Sequence, residues 1–174
     1  GLVGTIDDYL RFAEALRLSL ADRPGAVHLT LPEDVAAAET GATPLDVPPQ
    51  PLTRAGQAEL EAVADHLMRA KRPVIIAGAG VVRAGAADAL RQFAEITGIS
   101  VATTFMAKGI LPEDQPQTLF TVGQAEEDWA DLALNAADCA MLVGFDAVEY
   151  APLSLNLQDD CEVLAIDTSA PRAD

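Results

Sequence analysis

The chain has 174 residues, a one-domain length, with 11 Lys plus Arg against 27 Asp plus Glu and a formal charge of −16. That balance excludes nucleic acid and anionic membrane as partners, since both need a basic footprint. Hydrophobic residues make up 50% and aromatics only 5%, which suits helix-on-sheet packing better than aromatic recognition surfaces. No apolar run approaches the roughly 18 residues of a membrane span, and residues 1–20 lack the basic-then-apolar pattern of a signal segment.

In chain order, Ile6, Leu10, Ala13, Leu16 and Leu20 follow a helical stripe, with Thr5 and Asp8 as a capping-box start and Pro24-Gly25 as its stop. Residues 26–31 (AVHLTL) alternate like a strand, with Val27, Leu29 and Leu31 on one face, and Pro32 ends them. Residues 36–53 hold four prolines and show no period. They read as an extended linker, because proline fixes φ and restricts the residue before it. The chain therefore divides into residues 1–35, a linker at 36–53, and a larger part at 54–174.

The larger part reads as repeated strand–helix units. Leu60, Val63, Ala64 and Leu67 predict a helix over 54–71, and Pro73 to Ala77 (PVIIA) is an apolar strand turned by Gly78-Ala79-Gly80. Ala86, Ala89, Leu90, Phe93 and Ala94 predict the next helix, closed by Gly98. A strand follows at Ile99–Thr103, then a loop from Thr104 to Pro116, a helix around 125–136, a strand at Ala140–Val143 and a last strand at 162–166. Apolar strands without alternation, separated by amphipathic helices, indicate a parallel sheet covered on both faces. The predicted fold is α/β, a doubly wound, Rossmann-like α/β/α sandwich with an N-terminal helix–strand appendage.

Ligands of such sheets bind at the carboxyl ends of the strands. Gly78-Ala79-Gly80 sits where a nucleotide-binding loop would sit, but Arg83 stands at the third glycine of G-x-G-x-x-G and no acid ends the next strand. A tight strand-to-helix turn explains the glycines as well. Thr104, Lys108 and Gly109 follow the second strand and could meet an anion, or form a surface loop with a solvated lysine. Gly144-Phe145-Asp146 follows the third strand and Asp167 the fourth; such acids can hold ribose hydroxyls or cap a helix. His28 and His66 show no triad pattern, and Cys139 and Cys161 no metal spacing. The cysteines read as reduced thiols of a cytoplasmic protein. The acid runs Glu126-Glu127-Asp128 and Asp159-Asp160 read as solvated faces. No constellation offers an activated nucleophile, a metal cage or a paired acid and base, which also weakens the reading as an independent small enzyme or regulatory binder.

Taken together, RPVIIAGAGV, TTFMAKGILPEDQPQ, AADCAMLVGFD and EVLAID resemble the central domain of thiamine-diphosphate-dependent enzymes, the family of acetolactate synthase, pyruvate oxidase and 2-oxo acid decarboxylases. PGAVHLTLPEDV resembles the tail of the preceding pyrimidine-binding domain, and GFDAVEY is most similar to the acetolactate synthase-like branch. The resemblance implies a parent carboligase or decarboxylase acting on 2-oxo acids such as pyruvate, with thiamine diphosphate and magnesium as cofactors. It further implies flanking pyrimidine-binding and diphosphate-binding domains and a homo-oligomeric parent. The cofactor-activating glutamate and the Gly-Asp-Gly metal motif of the family have no match here, so the chain is expected to be an excised piece, inactive by itself and without its own metal or catalytic residue. Some family members bind FAD, ADP or a CoA nucleotide in this domain. By the family pattern Gly78, Gly80, Thr104, Lys108, Gly109, Gly144 and Asp167 would line such a site. FAD-binding members carry Gly-x-Arg-x-x-Asp-Arg after the third strand, whereas this chain has GFDAVEY with no arginine. An acidic loop there repels a diphosphate.

Overall fold

A computed structural model of the protein describes residues 6–21, 25–30, 32–37, 39, 54–123 and 129–168. The chain divides into two compact units, Gly1–Pro51 and Leu52–Asp174.

In the first unit, helix α1 spans Ile6–Ser19 and a single turn, α2, spans Glu33–Ala36. Arg17 and Glu14 pair on the solvent side of α1, with Nη2 2.6 Å from Oε1. Leu10, Phe12 and Leu20 of this unit are exposed. The strand expected over 26–31 does not form across the described residues 25–30, which join no ladder. An alternating sequence makes a strand only where a neighbour takes its N–H and C=O groups, and among the described residues none does. Thr5 of the expected capping box, Leu31, the Glu126-Glu127-Asp128 run and most of 36–53 lie outside the described residues.

The second unit is a five-stranded parallel sheet in the order β3-β2-β1-β4-β5. Its strands are β1 (Pro73–Ala77), β2 (Ser100–Thr103), β3 (Thr118–Thr121), β4 (Cys139–Val143) and β5 (Glu162–Ile166). The helices are α3 (Gln57–Arg69), α4 (Ala79–Arg83), α5 (Ala87–Thr97) and α6 (Trp129–Ala136). β1 runs in unbroken register with β2 from Val74↔Ser100 to Ala77↔Thr103, and with β4 from Pro73↔Cys139 to Ala77↔Val143.

The apolar run of β1 serves two faces at once. Ile75 and Ala77 pack with Val81, Leu90, Ala94, Val101 and Met141 on one side. Val74 and Ile76 pack with Ala102, Val122, Leu134, Ala140 and Leu155 on the other. Successive side chains point to opposite faces, so a strand covered on both sides has no polar position to spare. Gly98 ends α5 in the left-handed conformation (φ 72°), donating its N–H to Ala94 O. α3 buries no residue fully; Val63 and Leu67 lean on the first cluster, and an apolar cavity of about 650 Å³ opens between α3 and α5, lined by Leu60, Leu67, Leu90 and Phe93.

β3 is a strand the sequence pattern does not signal. Its register with β2 slips between Val101 and Thr103, and Phe120 adopts φ 63° at the slip. The slip is a bulge on an edge strand of four residues, too short and irregular to leave a period. The expected loop after Thr104 also holds one helical turn, Phe105–Ala107.

Candidate functional site

The strand order reverses between β1 and β4, so the crevice outside their carboxyl ends is where a ligand of this fold would lie. Three of the predicted residues meet there. Gly78 donates its N–H to Val143 O and Gly80 donates to Gly144 O, both at 2.9 Å. A Cβ on Gly78 would lie 2.5 Å from Gly144 O, and one on Gly80 would lie 2.6 Å from Gly144 Cα. Gly144 itself has φ +56°, and a Cβ there would lie 2.6 Å from Val81 N. The glycines therefore admit each other: the backbones of β1–α4 and of the turn after β4 touch directly, with no room for a side chain at any of the three.

Thr104 is buried beside them. Its N–H reaches Ala77 O at 2.9 Å, and its hydroxyl donates to Glu149 Oε2 at 2.5 Å. The other carboxylate oxygen, Oε1, accepts the Ala79 N–H at 3.1 Å. Glu149 is thus bonded to the residue after β2 and to the first residue of α4. The turn after β4 aims it there: Val148 N donates to Asp146 Oδ1 at 3.1 Å and Glu149 N donates to Asp146 O at 2.9 Å. Next in sequence, the Tyr150 ring lies directly on Gly123 and its hydroxyl donates to Ser154 O at 3.0 Å. Sequence reasoning singled out Thr104 and Gly144 but missed Glu149, whose partners are 45 and 70 residues away.

The remaining predicted residues lie elsewhere along the same sheet end. Lys108 and Gly109 are exposed and border a second cavity of about 340 Å³ with Thr103, Phe120, Thr121 and Trp129. Thr103 and Thr121 satisfy each other there, Oγ1 to Oγ1 at 3.2 Å. Asp167 follows β5 and accepts the Thr168 hydroxyl at 3.2 Å.

At the amino ends of the strands a different carboxylate works. Asp138, just before β4, accepts the N–H of Lys71 at 2.9 Å and of Arg72 at 2.8 Å. These bonds, Arg72's first, hold its carboxyl below the usual aspartate range, because they favour the charged form. Arg72 Nε donates to Ala136 O at 2.5 Å. His66 Nδ1 lies 2.5 Å from Glu162 Oε1, tying α3 to β5. Burial pushes the thiols of Cys139 and Cys161 up, with Glu162 and Asp138 respectively as the next causes, so both free cysteines stay protonated and weakly nucleophilic. Among the described residues no group of three or more His, Cys, Asp or Glu could hold a metal ion, and no helix is long and apolar enough to cross a membrane.

The fold and this site define a doubly wound domain with three packed glycines and a bonded carboxylate, Glu149, at its switch point. The sequence profile described as "Thiamine pyrophosphate enzyme, central domain" matches residues 60–174, and the chain belongs to that family. It is 34% identical over 140 residues to the probable acetolactate synthase large subunit of Methanocaldococcus jannaschii, covering 76% of this chain and 24% of that protein. It is 37% identical over 134 residues to glyoxylate carboligase of Escherichia coli O157:H7, covering 75% and 23%. A solved chain from Mycobacterium smegmatis, assigned as a thiamin diphosphate-dependent enzyme, matches at 29% identity and TM-score 0.51 over 63% of this chain and 22% of that one. The chain thus spans about a quarter of the length of the curated relatives it matches.

Proposed function

We propose that this chain is the central, assembly domain of a thiamine-diphosphate-dependent carboligase acting on 2-oxo acids such as pyruvate. The family match over residues 60–174 carries the reading, and relatives named acetolactate synthase and glyoxylate carboligase support the carboligase type. Residues 1–35 would be the tail of a pyrimidine-binding domain and 36–53 the linker into the central domain. Thiamine diphosphate and magnesium would be held by flanking domains, and no chemical step is assigned to a residue of this chain. Its work is to hold those domains in register. Apolar side chains left exposed on the second unit, among them Met68, Ile96 and Val163, are surfaces that a flanking domain or a second copy would cover. The two protonated free thiols fit the reducing cytoplasm.

A nucleotide-binding role for FAD, ADP or a CoA nucleotide is less favoured. A diphosphate needs backbone donors and a cation at the switch point. Here the Ala79 N–H and the Thr104 hydroxyl are taken by Glu149, and the three glycines pack on one another's main chain. Gly78, Gly80, Thr104, Lys108, Gly109, Gly144 and Asp167 remain the residues such a ligand would have to use.

The full-length protein encoded around this segment, given pyruvate, thiamine diphosphate and Mg²⁺, is expected to join two pyruvates into acetolactate with release of CO₂. Failure to release CO₂ from any small 2-oxo acid would sink the proposal. The chain alone is expected to turn over nothing and to show no thermal shift with FAD, ADP or CoA. A ligand at 100 times its Kd would add about 2.7 kcal/mol, an effect that is easily seen.

A further inference from the structure

We propose that Glu149 is a resident anionic ligand of this domain: its carboxylate organises the carboxyl ends of β1 and β2 and denies that place to an external anion. Ala79 is 9% exposed and Thr104 1% exposed, so neither the Ala79 amide nor the Thr104 hydroxyl can rely on bulk water. Both donors converge, and their hydrogen bonds run to the two oxygens of one carboxylate, at 3.1 and 2.5 Å. A charged acceptor bridging two neutral donors makes stronger bonds than a neutral one would.

The supporting loop is built to keep it there. Asp146 turns the chain through its own side chain and main chain, the Gly144 N–H is held by Ile166 O at 2.8 Å, and Tyr150 is seated on Gly123. The carboxylate therefore arrives on a braced turn rather than a free arm, which limits the entropy lost in holding it. An incoming diphosphate would have to displace it, compete for both donors and face the negative charge of Asp146 nearby in the same turn. The described residues place no arginine or lysine among the groups bonded to Glu149. Glu149 is thus a positioning and exclusion residue, and this inference stands whatever reaction the full-length protein performs.

Amide hydrogen exchange on the 174-residue chain tests it, read at Ala79 with Ile75 and Ile76 of β1 as internal controls. Glu149→Ala should speed exchange at Ala79 at least tenfold while the β1 controls keep their rates. Glu149→Gln, which retains the shape and one acceptor oxygen, should fall between. Inorganic pyrophosphate or ADP at millimolar concentration should leave Ala79 exchange in the unsubstituted chain unchanged. Two results would each overturn the proposal. One is unchanged Ala79 exchange in Glu149→Ala. The other is slowing of Ala79 by pyrophosphate or ADP in the unsubstituted chain, which would mean that an external anion seats where the carboxylate lies. That second measurement needs no variant, so the proposal stays testable even if Glu149→Ala fails to fold.

Discussion

The two ends of the sheet solve one problem with the same chemical group, used differently. At the amino ends, Asp138 sits one residue before β4 and takes the N–H groups of Lys71 and Arg72, just before β1. At the carboxyl ends, Glu149 sits six residues beyond β4 and reaches Ala79 after β1 and Thr104 after β2. The first clamp is short and half in water; a carboxylate beside a strand finds backbone donors with little loss of freedom. The second needs a turn, three mutually packed glycines and a buried threonine. A carboxylate at the amino ends is ordinary scaffolding. One at the carboxyl ends stands where doubly wound folds bind their ligands, which is why the proposal rests on the second clamp and not on the first.

The largest way to break the contrast is through the glycines. Gly144→Ala would force a side chain into a left-handed backbone and against Val81 N, so a loss of about 3 kcal/mol is expected in urea unfolding, with Gly80→Ala close behind. A change under 0.5 kcal/mol at either position would mean that the glycine junction is looser than drawn. Glu149→Ala comes next, with about 2 kcal/mol lost, because two buried donors lose a charged acceptor; paired with Thr104→Val, the double variant should lose less than the sum of the singles, because they share one hydrogen bond.

The amino-end clamp shows itself through pH. The folded-state pKa of Asp138 lies below its ordinary value of 3.8, so the unfolded chain binds the proton more readily. The contribution is fully present above that value and is lost as pH falls through the folded pKa. Asp138→Asn should therefore flatten the acid limb of the stability curve and lower stability at neutral pH, where the carboxylate's contribution is fully present, as read by urea unfolding across pH. Arg17→Ala is the smallest expected effect: the exposed Arg17–Glu14 pair on α1 should leave the melting of the second unit unchanged.

Much of the sheet was legible because both faces of it are covered. PVIIA announces a buried parallel strand at Pro73–Ala77 with its ends correctly placed, and Gly98 marks the close of α5 through the one residue type that takes φ 72° freely. TLFT announces nothing, since a four-residue edge strand with Phe120 out of register carries no period of its own. Residues 26–30 differ the other way: they alternate but join no ladder among the described residues, because a strand is a property of two segments. The three glycines were legible as a close approach, though not what they approach. Glu149 was hidden for a physical reason. Its part is defined by partners on two other strand ends, and nothing in GFDAVEY distinguishes an acid that points inward from one that is solvated.

The slip in β3 also makes the two margins of the sheet unequal. A bulged strand whose Phe120 turns out of the pleat offers a broken row of donors and acceptors, a poor template for another chain. β5 pairs with β4 without interruption from Glu162 to Ile166, and Val163 stands half open to solvent. Growth of the sheet is therefore directional: a further strand, from this protein or another copy, has a regular rail to follow only along β5.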